Sequence, residues 1–473
     1  MSAPEAIPPE ARQAGHARAA VYYRGHDPIL WANHALHTDY AAEASRAAAG
    51  AANAMIAARR FAAAYPYIEA GLARDGDPEA MAELHSCRAG LRRIRGDMKG
   101  ALDDYRAAHG KAIRAETRAA MLCRQALVLH RLGRGDEADR VLDAAEEIAD
   151  SIGLTGLGRA EIHEQRGNRA FLRGELAECL AQHRASLAAA EATGDPRGIA
   201  RGHGGIGDAT YAAGRFASAH RHFSRAIEIA EEAGLGLVRE EYLFMRAFAL
   251  FFADPGPHAH LLADIAVDSA RQCGAVRTEV IAREVRAEMR LMNGDIEGLD
   301  EDLAAIEALT PGESRFSKDV ETLKAFSALR GGDVEAARSR IAALLPDAGT
   351  DAYVGGTIFG FAALVAEDRE ARDQEIADGL ACLARGSLAH AVIWFHASVL
   401  ERAILDNDRD LARVHMDALT AFASDEPIGL VTHYVRAVEL ALWPSDPQAR
   451  SDLVDELRRR CLSDVAALVE AMV

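Results

Sequence analysis

Aromatic residues are scarce, at 6% of 473, and no window alternates apolar and polar side chains around a hairpin turn. Both absences argue against sandwiches and barrels, whose strands draw on aromatic and β-branched residues. Paired cysteines are missing as well. Cys87, Cys123, Cys179, Cys273, Cys382 and Cys461 are scattered and form no C-x-x-C, which excludes a disulfide framework and a zinc ribbon. The first residues hold no apolar signal-peptide core. Apolar runs such as Phe359 to Ala366 are too short to span a bilayer. A soluble, cytoplasmic protein is expected. Positive charge is in short supply, with 54 Lys+Arg against 72 Asp+Glu and a net charge of −18. Nucleic acid and anionic membranes reward clustered positive charge, so neither is an expected partner. No G-x-S-x-G, H-E-x-x-H or Walker-type loop occurs. The chain is therefore read as non-enzymatic, with no catalytic residue, cofactor or metal site assigned.

Ala and Leu dominate a hydrophobic content of 49%, the mix that suits closely packed helices. A period runs through them. Aligning the stretch around Gly167 with that around Gly207 also brings Gly174 onto Gly214, both 40 residues apart. Turn residues recur near Arg59, Gly96, Gly133, Gly174, Gly214, Asp254, Gly294 and Gly332, in steps of 37, 37, 41, 40, 40, 40 and 38. Asn407 continues the series beyond a degenerate repeat around Asp368. Between turns the apolar positions step by three and four, as in Phe216, Ala219, Phe223, Ala226, Ile227 and Ala230, which is one face of a helix.

These residues resemble a tetratricopeptide repeat protein of the long variety, with about 40 residues per unit. Gly207, Gly214, Phe216 and Ala219 match its small residue, turn glycine, large residue and alanine, and Phe223 and Ala226 continue the second helix. Ala126, Gly133, Ala138, Leu142 and Ala145 match more loosely, as do Ala287, Gly294, Ile296, Leu303 and Ile306. His203 stands where the family has an aromatic residue. The resemblance implies an all-α, right-handed superhelical solenoid of about ten helix pairs with capping helices at each end. Residues 1–25 are expected to be a flexible tail or N-terminal cap, 26–425 the solenoid (degenerate around 351–385), and 426–473 C-terminal capping helices. The Leu/Val stripe of the last segment is a candidate homodimer contact.

Gly202, Gly204 and Gly207 spell G-x-G-x-x-G. A dinucleotide site needs a hydrophobic strand before those glycines. A helix end and a Gly-Asp-Pro break precede them instead. Extra helical glycines cost about 0.8–1 kcal/mol each, so they call for a reason: close packing on a neighbouring helix, or a dent where a partner's backbone approaches.

In this family the first helices line the concave face. In that frame Glu161, Glu164, Asn168, Arg201, Gly204, Asp208, Tyr211, Glu241, Phe244, Phe248, Glu284 and Glu288 form its central stripe. Carboxylates mixed with aromatics point to a protein or peptide partner with basic and apolar side chains. The implied function is a non-catalytic scaffold. The alternative is a regulatory protein that senses a ligand or peptide and changes superhelical shape. His34 and His37 lie one helical turn apart, the spacing of a possible metal pair.

Overall fold

A computed structural model describes residues 8–310, 317–443 and 446–470. Its described residues form 25 helices and no strand. In order they are α1 (Pro9–Tyr23), α2 (Pro28–Ala35), α3 (Ala41–Ala57), α4 (Phe61–Leu72), α5 (Pro78–Ile94), α6 (Met98–Lys111), α7 (Ala115–Arg131), α8 (Gly135–Ser151), α9 (Gly156–Leu172), α10 (Leu176–Glu191), α11 (Pro196–Ala212), α12 (Phe216–Glu232), α13 (Gly236–Ala253), α14 (Pro257–Cys273), α15 (Val276–Met292), α16 (Ile296–Leu309), α17 (Ser317–Arg330), α18 (Val334–Ala348), α19 (Gly355–Leu364), α20 (Arg369–Ala384), α21 (Ala389–Leu405), α22 (Arg409–Phe422), α23 (Gly429–Leu442), α24 (Pro447–Arg459) and α25 (Ser463–Glu470). The chain is an all-α solenoid of tetratricopeptide-like hairpins. Ten of them run from α3 to α22, with α1 and α2 before and α23 to α25 after.

The turn chemistry explains the hairpins. Gly96, Gly133, Gly174, Gly214, Gly294 and Gly332 sit at φ of 89°, 72°, 72°, 76°, 73° and 86°, and Arg59 and Asn407 at 58° and 52°. A residue in this left-handed region ends an α-helix, and glycine does so without a β-carbon clash. At four turns an aspartate follows at once and caps the next helix. Asp97, Asp295, Asp333 and Asp408 accept from the backbone N–H of Gly100, Gly298, Ala336 and Leu411. Asp254 departs from the rule, at φ −149°. Ahead of the hairpins, Asp27 accepts from the N–H groups of Ile29 and Leu30, with Pro28 as the first residue of α2.

A polar cross-pair marks the repeat register. Residues 19 apart in sequence meet between the two helices of a hairpin: His85 with Asp104, His163 with Gln182, His203 with His222, Arg283 with Asp302 and His396 with His415. Successive first helices touch one another, α7 to α9, α9 to α11, α11 to α13, α13 to α15 and α15 to α17. Successive second helices make no comparable contact among the described residues. The stack therefore curves with its first helices inside.

The G-x-G-x-x-G glycines all lie within α11. A β-carbon on Gly202 would stand 2.8 Å from the Leu187 Cα of α10, and one on Gly207 2.6 Å from the Phe223 ring of α12. Gly205 faces the His183 ring and Gly204 faces Tyr242 of α13. Packing on both neighbours accounts for these glycines. Because Gly202 meets main chain that cannot turn aside, Gly202→Ala is expected to lose more from overpacking, about 1–3 kcal/mol, than the roughly 1 kcal/mol it gains in helix propensity. Its urea midpoint should fall. Gly110→Ala, with nothing within 4 Å of the new carbon, should not lower it.

Candidate functional site

The coil is tight. First helices ten apart in the chain order touch: α3 with α13, α5 with α15, α11 with α21, α13 with α23 and α15 with α25. One turn therefore takes five hairpins, and the next turn lies against it. Ion pairs fasten the two. Arg59 reaches Glu240 at 3.2 Å, Arg93 reaches Glu241, and Arg330 reaches Asp464 at 2.7 Å. The Ser218 backbone N–H donates to Glu426 at 2.9 Å. The inner wall is thus enclosed rather than an open trough.

Most of the stripe lies on that wall as an alternating chain of charge. Arg124 of α7 pairs with Glu161 of α9 at 3.3 Å, and Arg201 of α11 pairs with Glu164 at 2.9 Å. Arg201 also stands 3.9 Å from Glu241 of α13, and Arg93 of α5 completes the ring. Glu164 is only 8% exposed. Burial pushes its carboxyl up, Glu161 and Glu241 add to that, and Arg201 opposes it. At Glu241 burial also pushes upward, but Arg93, Arg201 and Arg131 outweigh it and hold the carboxyl at about 2. Asp208 has weaker support. Burial lifts it to about 7, with Arg131 opposing and Glu241 and Glu164 adding.

The aromatic members belong to the core. Tyr211 packs on Phe216, Phe248 and Phe252, and its hydroxyl meets His390 Nδ1 at 3.2 Å. Phe251 and Phe252 are fully buried, Phe248 nearly so, and Phe244 half-buried. Asn168 stays local, donating to Gln165 at 3.2 Å. Gly204 lies beneath Tyr242. Glu284 and Glu288 lie on α15, where Glu288 accepts from the Trp394 indole of α21 at 3.0 Å.

Two other expectations meet different surroundings. Leu453, Val454, Leu457, Val465, Ala466 and Val469 are buried in this chain's own core, so the C-terminal stripe is already covered. His34 meets His16 of α1, Nδ1 to Nδ1 at 3.0 Å, and the His16 and His37 rings lie 4.7 Å apart. Among the described residues no group of three or more His, Cys, Asp or Glu is set to hold a metal. No helix there is long and apolar enough to cross a membrane.

Sequence reasoning missed Arg93 and Trp394. Arg124–Glu161 and Glu164–Arg201 share a separation of 37 residues, so the repeat period itself was a usable signal for Arg124. Arg93–Glu241 and Glu288–Trp394 join residues 148 and 106 apart, the first between adjacent turns and the second across the interior within one turn. Periodicity within a hairpin carries no trace of them.

No family model matches the chain, and no curated protein matches it. Among solved structures, a Rap protein complexed with competence and sporulation factor is similar, at 15% identity over 72% of this chain and 97% of that one, with a TM-score of 0.49. A signal transduction ATPase with a tetratricopeptide repeat sensor from Pyrococcus horikoshii is 14% identical over 87% of this chain and 56% of that one, with a TM-score of 0.40. The APC/C hetero-tetramer Cut9–Hcn1 is 14% identical over 96% and 93%, with a TM-score of 0.34. Likeness of this degree says nothing of a partner. The class rests on the helices themselves: a helical-repeat solenoid with an enclosed, charged inner wall.

Asp208 makes the wall sensitive to pH. The folded chain keeps this proton up to about pH 7, whereas the ordinary value is 3.8. Between those values the folded state binds more protons than the unfolded one, so stability falls as pH rises. Asp208→Asn removes that dependence. Its melting temperature should match the parent's near pH 4 and exceed it at pH 8 in a thermal scan.

Proposed function

We propose that this chain is a non-catalytic scaffold whose inner wall binds a peptide or protein segment carrying basic and apolar side chains. One observation carries the reading. Asp208 and Glu288 line the wall in no ion pair among the described residues, and both are raised by burial, to about 7 and about 8. The Tyr211–Phe248 cluster lies beside them; both carboxyls act on the Tyr211 hydroxyl. A basic side chain there would gain an unshared counter-charge, and its neighbours would gain apolar contact.

The turn-to-turn ion pairs favour a second reading, that of a sensor. A segment entering an enclosed wall must part contacts such as Arg93–Glu241 and Arg59–Glu240. Occupancy and pitch would then be linked, because a ligand shifts an equilibrium by its differential affinity for the two states.

Fluorescence anisotropy with labelled peptides separates these ideas from their absence. A Lys/Leu peptide should bind and a Glu/Leu peptide of equal length should not. Phe244→Ala should weaken the basic peptide about tenfold, or about 1.4 kcal/mol. Equal binding of both peptides would refute the scaffold reading. A radius of gyration unchanged on binding would refute the sensor.

A further inference from the structure

The first helices of the C-terminal half enclose a second interior space. A cavity of about 60 Å³ lies among α15, α17, α19, α21, α23 and α25. One cation, Arg330, lines it, and that guanidinium is saturated. It donates to Glu401 at 2.7 and 2.8 Å and to Asp464 at 2.7 and 2.8 Å. Lys318, at the start of α17, is engaged with Asp351 at 3.1 Å. Burial holds His390 at about 4, so it is neutral at neutral pH. Among the described residues Glu288 and Asp319 therefore face the cavity in no ion pair, with Lys318 acting on Asp319 only at a distance. Thr357 and Ser398 line it too, 7% and 4% exposed. Neither hydroxyl oxygen is among the fully buried, unpartnered atoms of the described residues, so both open onto the space. Phe326, Trp394 and Tyr434 supply ring surface.

Hydroxyls that open onto such a space can donate to and accept from a ligand there. The occupant must be small, because this volume holds a few water-sized groups and not a folded element. It must also be positive, because two carboxyls face it in no ion pair among the described residues. A divalent ion wants six or more oxygen ligands at fixed geometry, and among the described residues no group of three or more His, Cys, Asp or Glu is set to hold one. An ammonium needs three acceptors and gains from an aromatic face beside it.

We propose that this cavity binds a primary ammonium group on a short apolar chain, held by the Glu288 and Asp319 carboxylates and the Thr357 and Ser398 hydroxyls, against Trp394. The site deepens the inner-wall reading and rests on it, but its test needs no peptide. The ammonium comes either from a free alkylamine or from a lysine side chain inserted by a partner.

Binding carries a proton signature. Burial lifts Glu288 to about 8, with Asp319 adding and the Trp394 indole opposing. Burial and Asp351 lift Asp319 to about 6 against Lys318. The other ionisable groups lining the space are Arg330, Glu401 and Asp464, which satisfy one another, Tyr353, and Tyr434, whose hydroxyl burial raises; Tyr211, which Glu288 acts on from outside the lining, is raised by burial too. At pH 7 the empty cavity thus holds Glu288 protonated and Asp319 largely ionised. An entering R–NH3⁺ favours the Glu288 carboxylate, and one proton leaves to solvent. Amine affinity should rise with pH from 6 to 8.

Calorimetric titration of the full chain with n-propylamine at pH 7, in two buffers of different ionisation enthalpy, tests this. The expected result is one site, about one proton released, and affinity about a hundredfold higher at pH 8 than at pH 6. Glu288→Gln keeps an acceptor for Trp394 and should lose at least tenfold in affinity together with the proton release. Ser398→Ala should lose severalfold. No heat of binding by the folded parent, an unchanged Glu288→Gln variant, or calcium binding in place of amine would overturn the proposal. If propylamine binds and the Lys/Leu peptide does not, the cavity stands and the peptide reading fails; if only the peptide binds, and Glu288→Gln does not weaken it, the reverse holds.

Discussion

The whole molecule depends on how closely a first helix can approach its neighbours. Ala44, Ala47, Ala48, Ala51 and Ala52 of α3 are all fully buried, and α11 meets three other helices at four glycines. Small residues let helix surfaces interlock at short separation. Because first helices touch one another and second helices do not, each hairpin is wedge-shaped, and the wedge bends the stack. The narrower the inner edge, the fewer hairpins complete a turn. Here five do, and the second turn then finds the first within contact range.

That closure sets an electrostatic problem. Polar side chains on an open concave face would be solvated at little cost. Once the next turn covers them, each charge loses water and must find a partner, and breaking a buried pair by removing one member costs about 3–5 kcal/mol. The central wall meets the demand with arginine. Arg201 alone serves Glu164 and Glu241, and Arg93 crosses from the neighbouring turn to share Glu241. The same pairs join turns that have no covalent connection nearby, so the network acts as a clasp as well as a neutraliser. Arg330 repeats the arrangement further along, holding α21 and α25 together.

Local features were legible and long-range ones were not. The turn residues followed from composition alone: of the nine positions named, Asp254 alone lacks positive φ. The cap at Asp27 and the helix start at Pro28 are local in the same way, because capping is decided within three residues. The G-x-G-x-x-G motif was separable from a phosphate loop because no strand precedes Gly202. The stripe from Glu161 to Glu288 lies on first helices, as helical spacing dictates. Its surroundings depend on the pitch of the coil, which no single repeat encodes. An open groove and a closed one share the same helical spacing, and only contacts between distant repeats, such as those of Arg93 and Trp394, distinguish them.

The two halves of the inner wall therefore differ in kind. In the centre every glutamate of the stripe from Glu161 to Glu241 is within ion-pair distance of an arginine, and Asp208 alone is left in no ion pair among the described residues. Around Glu288 and Asp319 the single cation is fully committed elsewhere. A protein under pressure only to close its coil could carry neutral side chains there, because an isosteric apolar group avoids the desolvation of a charge altogether. Two buried carboxyls in no ion pair among the described residues cost stability. Such a cost is retained where it is repaid by something that binds, and the size and sign of the space restrict what that can be.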